Sequence, residues 1–236
     1  MAEFLPKPTL IALHVLMAFF YLVAPWLNRA SVRHAEARID RGDKTERSHL
    51  YLMTIVSQVG TVVAFAALVI WGRVPARSVG LGPPRSWPVE ACLVVLLVAY
   101  IVWSGLRMRA KAREARKAIG KRADVLVPRT NTQREWYSFV SLGSGIEEEF
   151  VCRGFAFFYL RLLFPGIGLV PVIVITSVAF GFAHFYQGVK GVLIASAAGA
   201  VLAVIYLATG NLLLPVLAHS LDNFRLVFLP AKAEKG

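Results

Sequence analysis

The chain contains very little cysteine, and this scarcity excludes one class of fold. Cys92 and Cys152 are its two cysteines, and both lie within apolar runs. Small secreted scaffolds depend on a dense set of disulfides, so a disulfide framework is not indicated. Lone cysteines in apolar surroundings usually behave as small hydrophobic residues.

Acidic residues are also scarce. The chain has 14 Asp and Glu residues against 26 Lys and Arg residues, which gives a net charge of +12. Nucleic-acid-binding proteins can have this balance. Here the basic residues cluster beside long apolar runs, where they set membrane topology and attract anionic lipid. We therefore expect anionic lipid at the basic loops, and no nucleic-acid partner.

The chain lacks the polar content of a soluble protein. It is 57% hydrophobic, above the ~45–50% apolar content of soluble domains, and its mean hydropathy is +0.60. This composition predicts an all-α, polytopic transmembrane bundle in the cell membrane. The apolar runs predict about seven spans, at residues 9–26, 50–71, 89–106, 136–164, 169–186, 189–209 and 212–229.

The first run is not followed by a small-residue cleavage site, so it predicts a retained helix rather than a signal peptide. Basic residues concentrate in segments 29–47 and 107–134 and in the tail, at Lys232 and Lys235. The positive-inside rule places these segments in the cytoplasm, with the N terminus outside and the C terminus cytoplasmic. Segment 29–48 is typical of a water-exposed helical connection, and of the two interpretations we favour a solvated loop with no other role.

Composition suggests three parts of the chain. Residues 1–134 form N-terminal transmembrane helices with basic cytoplasmic loops. Residues 135–229, the last four helices, form a catalytic membrane core. Residues 230–236 form a tail.

The most unusual stretch is a group of ionisable residues inside an apolar run. Glu147, Glu148 and Glu149 are consecutive, and Arg153 follows. Each charge at bilayer depth costs about 2.5–3.5 kcal/mol on insertion scales, so such residues indicate a functional site. Glu149 and Arg153 are four apart and can pair on one helix face. That pairing leaves Glu148 about 100° around the helix, available as a general base.

Polar residues on later helices can complete this site. His184 ends the fifth run, and His219 and Asn223 lie four apart in the seventh. A glutamate and a histidine can deprotonate a water molecule, while a second histidine and an amide can stabilise an oxyanion. Each residue alone also has a structural interpretation: an interfacial histidine, or an asparagine that joins helices.

Three motifs in order resemble the signatures of one family. Glu148-Glu149-x-x-x-Arg153, Phe180-x-x-x-His184 and His219-x-x-x-Asn223 are similar to those of the CPBP group, which comprises type II CAAX prenyl endopeptidases and Abi-type membrane proteins. The resemblance covers about residues 136–229.

The resemblance implies a glutamate-dependent intramembrane endopeptidase without a cofactor. Glu148 and His184 would activate water, and His219 and Asn223 would hold the oxyanion. Glu149 and Arg153 would organise the site, while Glu147 lies outside the motif. The substrate would be a membrane-associated protein or a lipidated C-terminal segment.

Two alternatives remain at this point. Two histidines and a carboxylate can hold zinc, but the chain has no His-Glu-x-x-His motif and no histidines four apart. A non-catalytic immunity or scaffold protein, or a proton-coupled transporter, would also place glutamates in the membrane. The lack of an internal repeat weighs against a transporter.

Overall fold

A computed structural model describes residues 5–112, 114 and 124–229. Within these residues the chain forms seven helices and no strand, which confirms the predicted all-α bundle. The helices are α1 (Lys7–Asp40), α2 (Glu46–Ile70), α3 (Trp87–Ala110), α4 (131–163), α5 (Leu169–Ala183), α6 (Val189–Thr209) and α7 (Leu213–Phe224). Short 3₁₀ turns occupy Ala76–Val79, Phe185–Gln187 and Arg225–Phe228.

Helix α1 extends well beyond its apolar run. It continues to Asp40, so the interpretation of segment 29–48 as a solvated loop was wrong for its first part. The extension is helical because Ala35 is fully buried and packs in one cluster with Leu50 of α2. The loop that follows turns at Gly42, whose φ is 91°. Hydrogen bonds from Thr45 and Arg38 lower the pKa of Asp43 to about 2, and its carboxylate forms an ion pair with Arg38.

Four helices are long and apolar enough to cross a membrane: α1, α2, α3 and α6. Helix α5 is apolar but shorter, and α7 has 12 residues. The outer faces carry exposed large hydrophobic side chains, such as Val95 at 67% and Leu193 at 65% exposure, which suit contact with lipid. The chain is a multi-pass membrane protein. Its exact span count and the side on which it begins stay predictions.

Helix α4 is the centre of the bundle and packs against α2 and α7. Glycines permit this close approach. A Cβ at Gly143 would lie 2.2 Å from the Gln58 side chain of α2, and one at Gly145 would lie 2.0 Å from Ser220 Oγ of α7. These glycines are therefore close-packing positions rather than points of looseness in the helix.

Helices α5 and α6 pack through small residues. A Cβ at Gly181 would lie 1.9 Å from Ser196 Oγ, and one at Gly199 would lie 3.3 Å from the Cα of Ser177. Gly199 belongs to a run of small residues on α6, at positions 195–200, of the kind that lets membrane helices pack closely. This close approach brings the α6 backbone next to the side chains of α4.

Some predicted features lie outside the described residues. They are the tail 230–236 with Lys232 and Lys235, and part of the most basic segment, including Arg113, Arg116, Lys117, Lys121 and Arg122. Both cysteines are free; Cys152 is buried, whereas Cys92 is exposed on α3. The three-part division of the chain stays a prediction.

Candidate active site

A buried ion-pair network joins α4 to α7. Glu149 Oε1 lies 2.8 Å from Arg153 Nη1 and 2.8 Å from Nδ1 of His219. The side chain of Glu149 is 0% exposed and that of Arg153 is 1% exposed. The i,i+4 pair predicted from spacing is therefore present, and His219 is its third member. Because Nδ1 of His219 faces a carboxylate, we assign a proton to Nδ1. Nε2, on the other side of the ring, then points away from Glu149.

Arg153 also ties this network to α5 and α6. It donates from Nη2 to the carbonyl of Gly199 at 2.8 Å. Its guanidinium lies over the Phe180 ring, 4.6 Å from the centroid. Arg153 belongs to a π-helical turn, Phe150–Phe155, that follows Glu149 directly. Such turns are frequent at functional sites because they redirect side chains within a helix.

Glu148 faces the two histidines. Its Oε2 lies 3.8 Å from Nε2 of His184 and 4.0 Å from Nε2 of His219. These distances are too long for direct hydrogen bonds. The Glu148 and His184 side chains are 21% and 19% exposed, so this part of the site is more open than the Glu149–Arg153 pair. The geometry places one carboxylate oxygen opposite two imidazole nitrogens.

His184 is held by the last turn of α5. It is the residue that caps this helix, and its Nδ1 lies 2.9 Å from the carbonyl of Phe180. We assign the proton to Nδ1, since a carbonyl oxygen accepts there. Nε2 of a neutral His184 then presents a lone pair toward Glu148, as a general base requires.

The structure does not join Asn223 to this group. Asn223 is half-buried on α7, one turn after His219, and among the described residues it makes no hydrogen bond through its side chain. Its neighbour Asp222 forms an ion pair with Arg225, three residues further along the chain. Glu147 points away from both Arg153 and the histidines, and its carboxylate interacts with Thr61 of α2.

Two further residues shape the site, and sequence reasoning gave them no role there. Phe180 holds His184 through its carbonyl, and its ring contacts Arg153 and lies 5.7 Å from the His219 ring. Gly199 supplies the carbonyl that Arg153 binds. The sequence signal that could have identified Phe180 is its four-residue spacing from His184. The signal for Gly199 is the run of small residues around it.

A comparison with protein families gives a match over the same helices. Residues 132–225, 94 of the 236, match the family described as type II CAAX prenyl endopeptidase Rce1-like. This segment is similar to the Rce1-like family. The match confirms the resemblance to the CPBP group. No curated protein and no solved structure matches the chain significantly.

The Rce1-like match bears on activity in general terms. The description of that family is of an endopeptidase, so the match supports peptidase activity in general terms. Over residues 5–112, 114 and 124–229, no group of three or more His, Cys, Asp or Glu residues is arranged to hold a metal ion. A cofactor-free reaction stays a prediction.

Proposed function

We propose that this Rce1-like protein is a glutamate-dependent intramembrane endopeptidase. It hydrolyses a peptide bond of a membrane-associated protein or of a lipidated C-terminal segment. One observation carries the proposal: Glu148 Oε2 lies 3.8 and 4.0 Å from two histidine Nε2 atoms. The neighbouring Glu149 is instead held by Arg153 and His219, so the two carboxylates have different surroundings.

In the first step a water molecule binds between Glu148 Oε2 and His184 Nε2. Both atoms accept hydrogen bonds, so the water is oriented with its oxygen lone pair toward the substrate. Glu148 takes a proton as the oxygen attacks the carbonyl carbon of the scissile bond. General-base assistance of this kind typically contributes about 10²–10⁴-fold in rate.

The attack converts the carbonyl oxygen to an oxyanion. With Nδ1–H of His219 donated to Glu149, a protonated His219 presents Nε2–H to this oxygen. Asn223 supplies a second donor from its amide after a rotamer change, since it lies one turn along the same helix. Donors fixed at a developing oxyanion are each worth about 10²–10³-fold in rate.

The tetrahedral intermediate then collapses. The carbon–nitrogen bond breaks, and Glu148 returns its proton to the departing amine nitrogen. The immediate products are a carboxylic acid, which keeps the second proton of the water, and an amine. That proton passes to the amine to give a carboxylate and an ammonium group, and the site regains its starting protonation. Arg153 and Glu149 contact neither product; they hold His219 in place.

The decisive experiment exploits two adjacent glutamates. Membrane-anchored peptides are expressed with wild type, with Glu148→Gln or with Glu147→Gln, and C-terminal fragments are quantified. We expect Glu148→Gln to lose at least about 100-fold in cleavage rate, as removal of a general base requires. Glu147→Gln is the matched control, because Glu147 faces Thr61 rather than the histidines, and it should cleave nearly as wild type.

Three results contradict the proposal. If Glu148→Gln cleaves at the wild-type rate, Glu148 is not the general base. If cells that carry Glu148→Gln behave like wild type, the protein acts without peptide hydrolysis, as a scaffold or immunity protein would. If Glu147→Gln alone abolishes cleavage, the general base is assigned to the wrong glutamate.

We also propose that the reaction needs no metal. The sequence offers neither a His-Glu-x-x-His motif nor histidines four apart. Metal analysis of active protein should find less than stoichiometric zinc, and cleavage should continue in the presence of a chelator. Stoichiometric zinc that is lost together with activity would establish a metallopeptidase instead.

A further inference from the structure

A basic cavity lies at one end of the bundle, away from the site above. Its volume is about 240 Å³. Three arginines line it: Arg77 from the loop between α2 and α3, Arg85 from the same loop, and Arg161 from the last turns of α4. Aromatic and aliphatic side chains form the rest of its wall, namely Phe157, Phe158, Tyr206 and Leu207.

The loop that carries two of these arginines is fixed in place. Its backbone is tied to the turn between α6 and α7, since Arg85 N donates to the Thr209 carbonyl and Leu212 N donates to the Gly80 carbonyl. Gly80 has a φ of 78°, which ends the 3₁₀ turn. The side chain of Arg85 packs against Gly210, where a Cβ would lie 3.0 Å from Nε. The cavity is therefore formed before any ligand binds.

The three guanidinium groups have no anionic partner in the part of the chain that the structure describes. Among the described residues, none of Arg77, Arg85 and Arg161 makes an ion pair or a hydrogen bond through its guanidinium. Ser78 does not offer a donor to the cavity, because its hydroxyl donates to the Pro75 carbonyl. The nearby carboxylate of Glu90 is buried and accepts from Asn211. The cavity thus presents three positive charges, all on exposed residues, to an anionic ligand.

Two tryptophans indicate the depth of this cavity. Trp71 and Trp87 flank the loop and are 77% and 62% exposed. Exposed tryptophans concentrate at the membrane–water interface, at the level of lipid headgroups. The positive-inside rule predicts that this end of the bundle faces the outside of the cell. Its arginines are therefore not explained by the general excess of basic residues on the cytoplasmic side.

We propose that this cavity binds the phosphate of an anionic phospholipid. The arginines bind the phosphate oxygens, as guanidinium groups do with paired hydrogen bonds. The glycerol region lies against Phe157, Phe158 and Leu207, and the acyl chains remain in the bilayer. The volume is below the ~300–1,000 Å³ of pockets that enclose a whole ligand, which fits a headgroup alone.

The test measures lipid affinity of the purified full chain. Phosphatidylglycerol or phosphatidylcholine is titrated into detergent-solubilised protein, and bound lipid is counted by native mass spectrometry. We expect Arg77→Gln/Arg161→Gln to bind phosphatidylglycerol about 25-fold more weakly, because each basic residue near an anionic headgroup contributes about fivefold. Lys7→Gln/Arg73→Gln removes the same charge from the same end without touching the cavity, and should keep wild-type affinity.

Three outcomes overturn the proposal. Equal weakening in both double variants would mean that general surface charge attracts the lipid. Wild-type affinity in Arg77→Gln/Arg161→Gln would mean that the cavity is not used. Competition by inorganic phosphate as strong as that by phosphatidylglycerol would identify a soluble phosphate ligand. If the double variant does not fold, Arg161→Gln alone should still weaken phosphatidylglycerol binding about fivefold. An unchanged affinity in Arg161→Gln would also mean that the cavity is not used.

Discussion

At the scale of single residues, Arg153 is the side chain on which most of the site depends. It is buried and binds a carboxylate, a backbone carbonyl and an aromatic face. Removal of one partner from a buried ion pair costs about 3–5 kcal/mol, because the other charge is left uncompensated. We expect Arg153→Ala to lower the Tm in detergent by at least 6 °C, at about 2–4 °C per kcal/mol for a chain of this size.

A double variant separates the charge effect from lost packing. Glu149→Gln/Arg153→Met has no buried charge at this position, so part of the lost Tm should return relative to Arg153→Ala. Its cleavage rate should stay low, because His219 no longer has a carboxylate partner. If the double variant is as unstable as the sum of its single substitutions, the pair is not energetically coupled.

Several of these residue contacts could be predicted from the sequence. The Glu149–Arg153 pair follows from four-residue spacing, and the Asp222–Arg225 pair from a separation of one turn. The contact of His219 with Glu149 could not be predicted, because it depends on how α7 sits against α4. Asn223 shows the limit of the motif, since among the described residues its side chain forms no hydrogen bond to the group.

At the scale of helices, the distance between α4 and α7 sets the position of His219. Gly145 touches α7 where a Cβ would lie 2.0 Å from Ser220 Oγ and 2.8 Å from the Val216 carbonyl. Gly145→Ala must therefore separate the two helices, and overpacking of this kind costs about 1–3 kcal/mol. We expect a lower Tm and a lower cleavage rate, measured on the same preparation.

Gly60 on α2 provides the matched control for this substitution. A Cβ there meets nothing within 4 Å. Gly60→Ala should keep wild-type activity and raise helix stability by up to about 1 kcal/mol, since alanine is the better helix former. If Gly145→Ala and Gly60→Ala lower the Tm and the cleavage rate equally, close packing of α4 against α7 is not the cause of the loss.

Apolar runs predicted the helices well where burial in lipid determines them. Helix α6 begins and ends at the predicted residues, Val189 and Thr209. The extension of α1 to Asp40 was missed, since its polar residues gave no apolar signal and contacts with α2 stabilise it. The π turn at Phe150–Phe155 was also missed. Its Phe155 ring packs against Phe65 of α2, and a contact so distant in sequence cannot be read from local spacing.

At the scale of the whole molecule, the bundle has two chemically different ends. One contains the loop from Arg73 to Arg85, and the other contains the loop after Asp40. The positive-inside rule predicts that the first end faces outside. In a Cys92→Ser background, Leu81→Cys should react with a membrane-impermeant maleimide in intact cells, whereas Lys44→Cys should react after lysis alone. The opposite pattern would invert the predicted topology.

The bundle as a whole follows from hydropathy, but the assembly of the site does not. Composition and apolar runs determine the class and the number of helices. The neighbours of α4, namely α2 and α7, are chosen by glycine and serine contacts such as Gly145 with Ser220. Contacts of this kind leave a weak trace in a single sequence, since many small residues in the chain lie elsewhere.

The three consecutive glutamates of α4 are chemically identical, yet each meets a different neighbour: Thr61 for Glu147, the histidine pair for Glu148, and Arg153 for Glu149. The angular position of each glutamate around the helix determines which groups its carboxylate meets. A single residue inserted between Gly145 and Glu147 would move Glu147 into the position of Glu148, Glu148 into that of Glu149, and Glu149 into that of Phe150. The carboxylate opposite the two histidines would then be the one that now meets Thr61.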